Sequence, residues 1–350
     1  MKEQTDKNSL RQWMVNARSV SLAQSGLPAC LAVVLALGNG HFSLVLAALA
    51  VLGVMSAHLG MNLADDYFDY KADMLSDRDR VLRQGFRAMM VKYPYLTDGS
   101  QTPKTLLRAI LYFLLFAVGC GAVIFCLRTV DRGLFGAEGS WWILAIACVC
   151  CFLGVFYSAP PLKLAYRGFG ELVIGVIFGP LLMMGVYYSA CGAIHPEVVW
   201  ISVPVGLLVL NILFTHSFVE RASDAASNKM TLARLLGSNR NNMIAALLIN
   251  FLPFAMVVIA VAIGSVHPAY LAVLLMIPRS VWLCRSLSDF NRGNTGVPDK
   301  PLRWLGPMRD WEPVRAAGAD FFLMRWLTAR NILSGFCLIT LIVRLVLLFF

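Results

Sequence analysis

Nine apolar runs punctuate the chain, near 20–38, 43–64, 106–127, 141–158, 170–190, 197–218, 242–264, 268–287 and 331–349. At 1.5 Å per helical residue each is long enough to cross about 30 Å of hydrocarbon. The pattern predicts an all-α polytopic membrane protein of about nine transmembrane helices. The connections alternate in character. Those near Gly38–His41, Cys191–Pro196 and Gly264–Pro268 carry no Lys or Arg, and the stretch from Arg128 to Ser140 carries only Arg128 and Arg132. The other four are basic. The positive-inside rule then places the N-terminus and the basic loops in the cytoplasm and, with an odd number of spans, the C-terminus outside. Residues 1–350 read as one membrane domain with a polar cytoplasmic segment, 1–19, and no cleavable signal peptide is expected. The two long connections, 74–105 and 288–325, hold Trp304 and Trp311 and read as linkers or as interfacial helices over a cavity.

Composition sharpens this. Hydrophobic residues make up 58% of the chain and charged ones 14%, against about a quarter charged in soluble domains. A net charge of +10 would suggest nucleic acid on a soluble protein. Here the basic residues lie between apolar runs, so topology accounts for them and the expected surroundings are a lipid bilayer. The nine Cys sit mostly inside apolar runs without metal-ligand spacing and read as small buried hydrophobes.

The second run ends in Asn62-Leu-Ala-Asp-Asp-Tyr-Phe-Asp-Tyr-Lys-Ala-Asp73. At 100° per residue, Asn62, Asp66, Asp69 and Asp73 share an arc of about 60°, and Asp65 lies about 40° outside it. Carboxylates stacked at i,i+3 and i,i+4 repel and need a counter-charge. Hard divalent cations suit them, Mg²⁺ above all, which takes one or two carboxylates, waters and substrate phosphates. Diphosphate completes such a site. A solvated helix end and a proton or cation pathway are the competing readings.

The sixth run ends with His216, Glu220 and Asp224 one helical turn apart. Like the first cluster, this one follows an even-numbered span at the same membrane boundary, with a His further in (His58 and His216). Facing one another, the two acid groups could hold two magnesium ions across one diphosphate. Between them runs Tyr157-Ser-Ala-Pro-Pro-Leu-Lys-Leu-Ala-Tyr-Arg-Gly-Phe-Gly-Glu171, where Lys163 and Arg167 read either as phosphate contacts or as membrane anchors. Arg325 and Arg330 read as interfacial anchors.

Together with Lys229-Met-Thr-Leu-Ala-Arg-Leu-Leu-Gly237 and Leu327-Thr-Ala-Arg330, these stretches resemble the UbiA superfamily of intramembrane prenyltransferases, over essentially the whole chain. Within it the resemblance is to the branch acting on 1,4-dihydroxy-2-naphthoate in menaquinone synthesis. It implies a ring of nine helices around a central cavity open sideways to lipid. It also implies magnesium-dependent transfer from a polyprenyl diphosphate to an aromatic acceptor in a bacterial inner membrane. On this resemblance Asp66, Asp69 and Asp73 fall on the first aspartate motif, with Asn62 on its leading Asn. Glu220 and Asp224 fall on the second, and all five acids become metal-binding and catalytic. Lys163, Arg167, Asn62 and Tyr157 become substrate-binding, and the tail is expected to stay in lipid. Glu220 stands where Asp is usual, and Asp65 where Asn is frequent. A family member with another acceptor, such as 4-hydroxybenzoate, and a transporter using intramembrane acids are the alternatives.

Overall fold

The computed structural model describes residues 10–74, 93–226, 229–309 and 311–349. Among them, nine helices are long and apolar enough to cross a membrane. We number them span 1 (Ser19–Ala36), span 2 (Leu44–Lys71), span 3 (Pro103–Arg132), span 4 (Trp141–Ser158), span 5 (Gly170–Cys191), span 6 (Pro196–Val219), span 7 (Asn239–Ala262), span 8 (Pro268–Asn291) and span 9 (Asp320–Phe349). Each apolar run falls on one helix.

The ends follow local chemistry. Pro103 opens span 3, and Thr102 caps it in a reciprocal capping box with Thr105. The Ser238 side chain caps span 7. Span 9 begins at Asp320 rather than near 331, because Phe322, Leu323, Met324 and Leu327 carry an apolar face past Arg325 and Arg330. Arg325 is fully buried and does not anchor at an interface. It donates to the carbonyls of Ser286 (3.2 Å), Thr295 (3.4 Å) and Phe321 (2.7 Å). The 288–325 connection includes the short helix Trp311–Ala316. Part of the 74–105 connection, 75–92, lies outside the described residues.

Span 6 is the pillar. It has 72% of its apolar window buried, against 6% for span 4, which is an outer stave. Spans 5 and 6 approach closely through glycine: a Cβ on Gly179 would stand 2.4 Å from the Gly206 Cα. Span 5 widens into a π-turn over Ile177–Leu181, where Pro180 has no N–H to offer the ladder. Spans 6 and 7 are fastened by paired amides, Asn211 and Asn250, which exchange hydrogen bonds of 2.9 and 3.2 Å.

The end away from the acids is tied shut. Arg128 donates to the carbonyls of Ser189, Ala190 and His41, and to Asp131. Near the start of span 6 Tyr270 donates to Glu197 at 2.6 Å, and Arg344 reaches the Leu35 and Leu37 carbonyls.

Candidate active site

A cavity of about 1500 Å³ runs through the bundle and has the acids at one end. Asn62, Asp65 and Asp69 line it from span 2, and Glu220 and Asp224 line it from just beyond span 6, Asp224 in the short helix Arg221–Ala226. Two clusters more than a hundred residues apart in sequence therefore meet on one space. The two His residues do too. His58 contacts the Ser25 hydroxyl at 2.8 Å and that of Ser21 at 3.3 Å, with its ring edge-on to Phe178. His216 Nε2 lies 2.9 Å from a Glu220 oxygen, and its ring meets Phe322 edge-on.

The rotation of span 2 decides which acids face in. Asn62, Asp65 and Asp69 span an arc of about 60°, and Asp66 falls about 40° beyond it. This is the expected arc turned toward Asp65. Asp66 is wholly buried and is not among the cavity-lining residues. Arg18 Nη1 donates to one of its oxygens at 2.6 Å, and the Tyr95 hydroxyl donates to the other at 2.8 Å. Arg18 has left-handed backbone (φ 56°), just before span 1, and also reaches the Asn62 carbonyl at 3.3 Å. Burial works against the Arg18 charge, but Asp66 and Asp65 more than offset it and hold its pKa above the ordinary guanidinium value. Burial, then the Asp66 charge, pushes the Tyr95 phenol well above its usual range. The Asp73 side chain lies outside the described residues.

The inward acids are held by hydroxyls. Ser158 donates to Asp65 at 2.7 Å, Tyr166 donates to Asp69, and Thr231 donates to Asp224 at 3.3 Å. Asn62 donates to the Ala17 carbonyl and to the Ser21 hydroxyl, which draws the chain before span 1 against span 2. The loops carrying these groups are stitched together. The Gly168 N–H donates to the Met230 carbonyl at 2.9 Å, and the Glu171 carboxylate accepts from the Leu232 N–H at 3.2 and 3.3 Å. Gly168 has φ +84° and a neighbour, Leu235, 3.0 Å from where a Cβ would stand, so glycine fits there.

Tyr157 lines the cavity, as its place in the loop implied. Lys163 and Arg167 do not: both are exposed, and Arg167 donates to the Pro161 carbonyl at 3.1 Å. The cavity's cations are instead Arg18, Lys229 and Arg330. Arg18 lies in a segment that reads as a polar leader. Lys229 and Arg330 lie in the stretches that carry the family resemblance, so a signal for them existed. Tyr166 sits between Lys163 and Arg167, and nothing in the spacing of the loop marks its hydroxyl as the partner of Asp69.

The lining offers five carboxylates, those of Asp65, Asp69, Glu171, Glu220 and Asp224, with an amide, phenols and cations, all hard oxygen or nitrogen groups. Among the described residues no three His, Cys, Asp or Glu converge on a single point. Hard carboxylate oxygens suit magnesium, which takes one or two of them with waters and substrate phosphates.

Residues 26–300 match the model of the UbiA prenyltransferase family. The chain belongs to the UbiA prenyltransferase family. The enzyme is 26% identical over 278 residues to a 1,4-dihydroxy-2-naphthoate octaprenyltransferase of Bacillus subtilis, covering 79% of this chain and 82% of the relative. It is 29% identical over 244 residues to the enzyme of that name from Mycobacterium tuberculosis, covering 67% and 73%. In fold it resembles a UbiA homolog from Archaeoglobus fulgidus bound to GPP and Mg²⁺. That match has a TM-score of 0.54 at 16% identity and covers 93% of this chain and 99% of the homolog. A structure of digeranylgeranylglyceryl phosphate synthase matches with a TM-score of 0.57 at 12% identity, covering 95% and 98%.

Proposed function

We propose that this prenyltransferase moves a polyprenyl group from its diphosphate to 1,4-dihydroxy-2-naphthoate, with magnesium holding the diphosphate. One observation carries the reading: both acid clusters line one end of a single cavity that continues between apolar helices. The names of the relatives supply the acceptor, and the ligands of the Archaeoglobus homolog favour the donor and the metal.

In this reading Asp65 and Asp69 from span 2, Glu220 and Asp224 from just beyond span 6, and Asp73 would hold the metal ions. Asp66 passes from ligand to strut, because its oxygens bind Arg18 and Tyr95. Bound magnesium would neutralise charge on the departing diphosphate. Lys229 and Arg330 take the remaining charge, in place of Lys163 and Arg167, because Arg18 is already matched by Asp66. The apolar walls keep water from the allylic cation left when the C–O bond breaks, and the Tyr157 ring lines the same cavity, where an aromatic face stabilises a cation. The electron-rich acceptor ring then bonds to that cation, and the ring carbon gives up its proton or, as carbon dioxide, its carboxyl group. The basic connections support a reading in which the acid end faces the cytoplasm.

Membranes holding the enzyme are incubated with polyprenyl diphosphate and either 1,4-dihydroxy-2-naphthoate or 4-hydroxybenzoate, with and without EDTA. Product is expected from the naphthoate in magnesium alone. Asp69→Ala should lose at least about a hundredfold in turnover, the scale of a removed charge-stabilising group. Wild-type turnover in Asp69→Ala or in excess EDTA contradicts the site, and product from 4-hydroxybenzoate alone contradicts the acceptor.

A further inference from the structure

The cavity does not end behind the carboxylates. Its lining runs along span 2 from Asp69 to Leu49, and along span 5 from Glu171 to Ser189. At 1.5 Å per residue these stretches measure about 30 and 27 Å, the thickness of the hydrocarbon layer. The walls away from the acids are apolar, with Val54, Ile124, Phe125 and Ile146 among them. At the far end stand Ser189 and Tyr188. They are fixed there: Arg128 grips the Ser189 carbonyl, and the Tyr188 hydroxyl donates to the Glu138 carbonyl. A space with hard oxygen ligands at one end and an apolar limb as deep as the membrane fits an amphiphile with an anionic head and a long hydrocarbon tail.

We propose, resting on the prenyl-transfer reading above, that the donor's tail lies inside the bundle along spans 2, 3 and 5, and that Gly121 sets how long a tail is accepted. This differs from the expectation that the tail stays in lipid. Gly121 lines the limb from span 3, and a Cβ built on it meets nothing within 4 Å. Its level is fixed by its neighbour. Cys120 packs 3.1 Å from the Cβ position of Gly53 on span 2. Gly53 stands twelve residues before Asp65, so Gly121 lies about 18 Å beyond the acids. A geranyl tail is too short to reach that depth, whereas an octaprenyl tail must pass it. A large side chain there blocks the long tail and leaves room for the short one.

Span 3 supplies its own control. Gly119 also has open space around its Cβ position but is exposed and is not a cavity-lining residue. Competing geranyl and octaprenyl diphosphates are given to wild type, Gly121→Phe and Gly119→Phe, and the ratio of their kcat/KM values is read from the products. In Gly121→Phe the ratio should shift toward geranyl by about tenfold or more, the discrimination a filled apolar pocket gives. In Gly119→Phe it should stay at the wild-type value. An unchanged ratio in Gly121→Phe, or the same shift in both variants, overturns the proposal and returns the tail to lipid. If Gly121→Phe is inactive with both donors, Gly121→Leu is read by the same criterion, and the higher helix propensity of Leu favours its folding. Wild type that transfers neither prenyl group fails the function proposed above instead.

Discussion

At the end of the bundle away from the acids, Arg128 keeps only 3% of its side chain exposed and spends its donors on three backbone carbonyls and Asp131. At the other end Asp65 accepts from a serine, Asp69 from a tyrosine and Asp224 from a threonine, and all three face the cavity. The first arrangement uses charge to close helix ends that would otherwise leave carbonyls bare in an apolar setting. The second turns anionic oxygens, each accepting from a hydroxyl, toward a cavity. Asp66 is the instructive intermediate: it sits on the acid helix, yet it is treated as a far-end charge, buried and matched by Arg18.

The comparison breaks most readily at Arg128. Arg128→Met retains bulk but strands the Ser189, Ala190 and His41 carbonyls and the Asp131 charge. Losing one partner of a buried charge network costs on the order of 3–5 kcal/mol. Unfolding in mild detergent should show a loss of that size, with turnover per folded molecule near wild type for a short donor. A stability within about 1 kcal/mol of wild type would mean the far end is not held by this side chain.

Asp66→Ala should come second. It removes the acceptor for Arg18 and Tyr95, but Arg18 keeps 36% of its side chain exposed and water screens the charge left behind. The expected loss is therefore about 1–3 kcal/mol, below that of a fully buried pair. Proteolysis near Arg18 should quicken, because the chain before span 1 is fastened there. If Asp66→Ala left stability and proteolysis untouched and still abolished magnesium-dependent turnover, Asp66 would be a ligand after all.

That contrast also marks how far the sequence reaches. Hydropathy located all nine helices, since an apolar run of span length has few other stable fates in lipid. It missed the start of span 9, where Arg325 interrupts the run but is buried by tertiary bonds to Ser286 and Thr295. Periodicity found the acid face of span 2 and misjudged its rotation by about 40°. Spacing gives angles between side chains, whereas the direction of the face is set by what packs on it, here the chain before span 1 and Tyr95. Arg18 was invisible for the same reason: its partner lies 48 positions away. Lys163 and Arg167 attracted a phosphate role through their charge and loop, but the turn at Leu164–Tyr166 brings Tyr166 to Asp69 and leaves both cations exposed.

The smallest expected effect tests the acid end itself. Asp65→Asn keeps an oxygen for the Ser158 hydroxyl and removes one of two like charges at i,i+4 on the same face, while Arg18 loses some of its counter-charge. These contributions oppose one another, so stability should move by less than about 0.5 kcal/mol. The consequence should instead appear in metal use. An amide oxygen still ligates magnesium but brings no charge, so the magnesium needed for half-maximal turnover should rise severalfold while turnover at saturating metal persists. If Asp65→Asn destabilised the protein as much as Asp66→Ala without altering the magnesium requirement, then Asp65 would also be a strut, and the division between a closed end and a ligand-ready end would fail at its central residue.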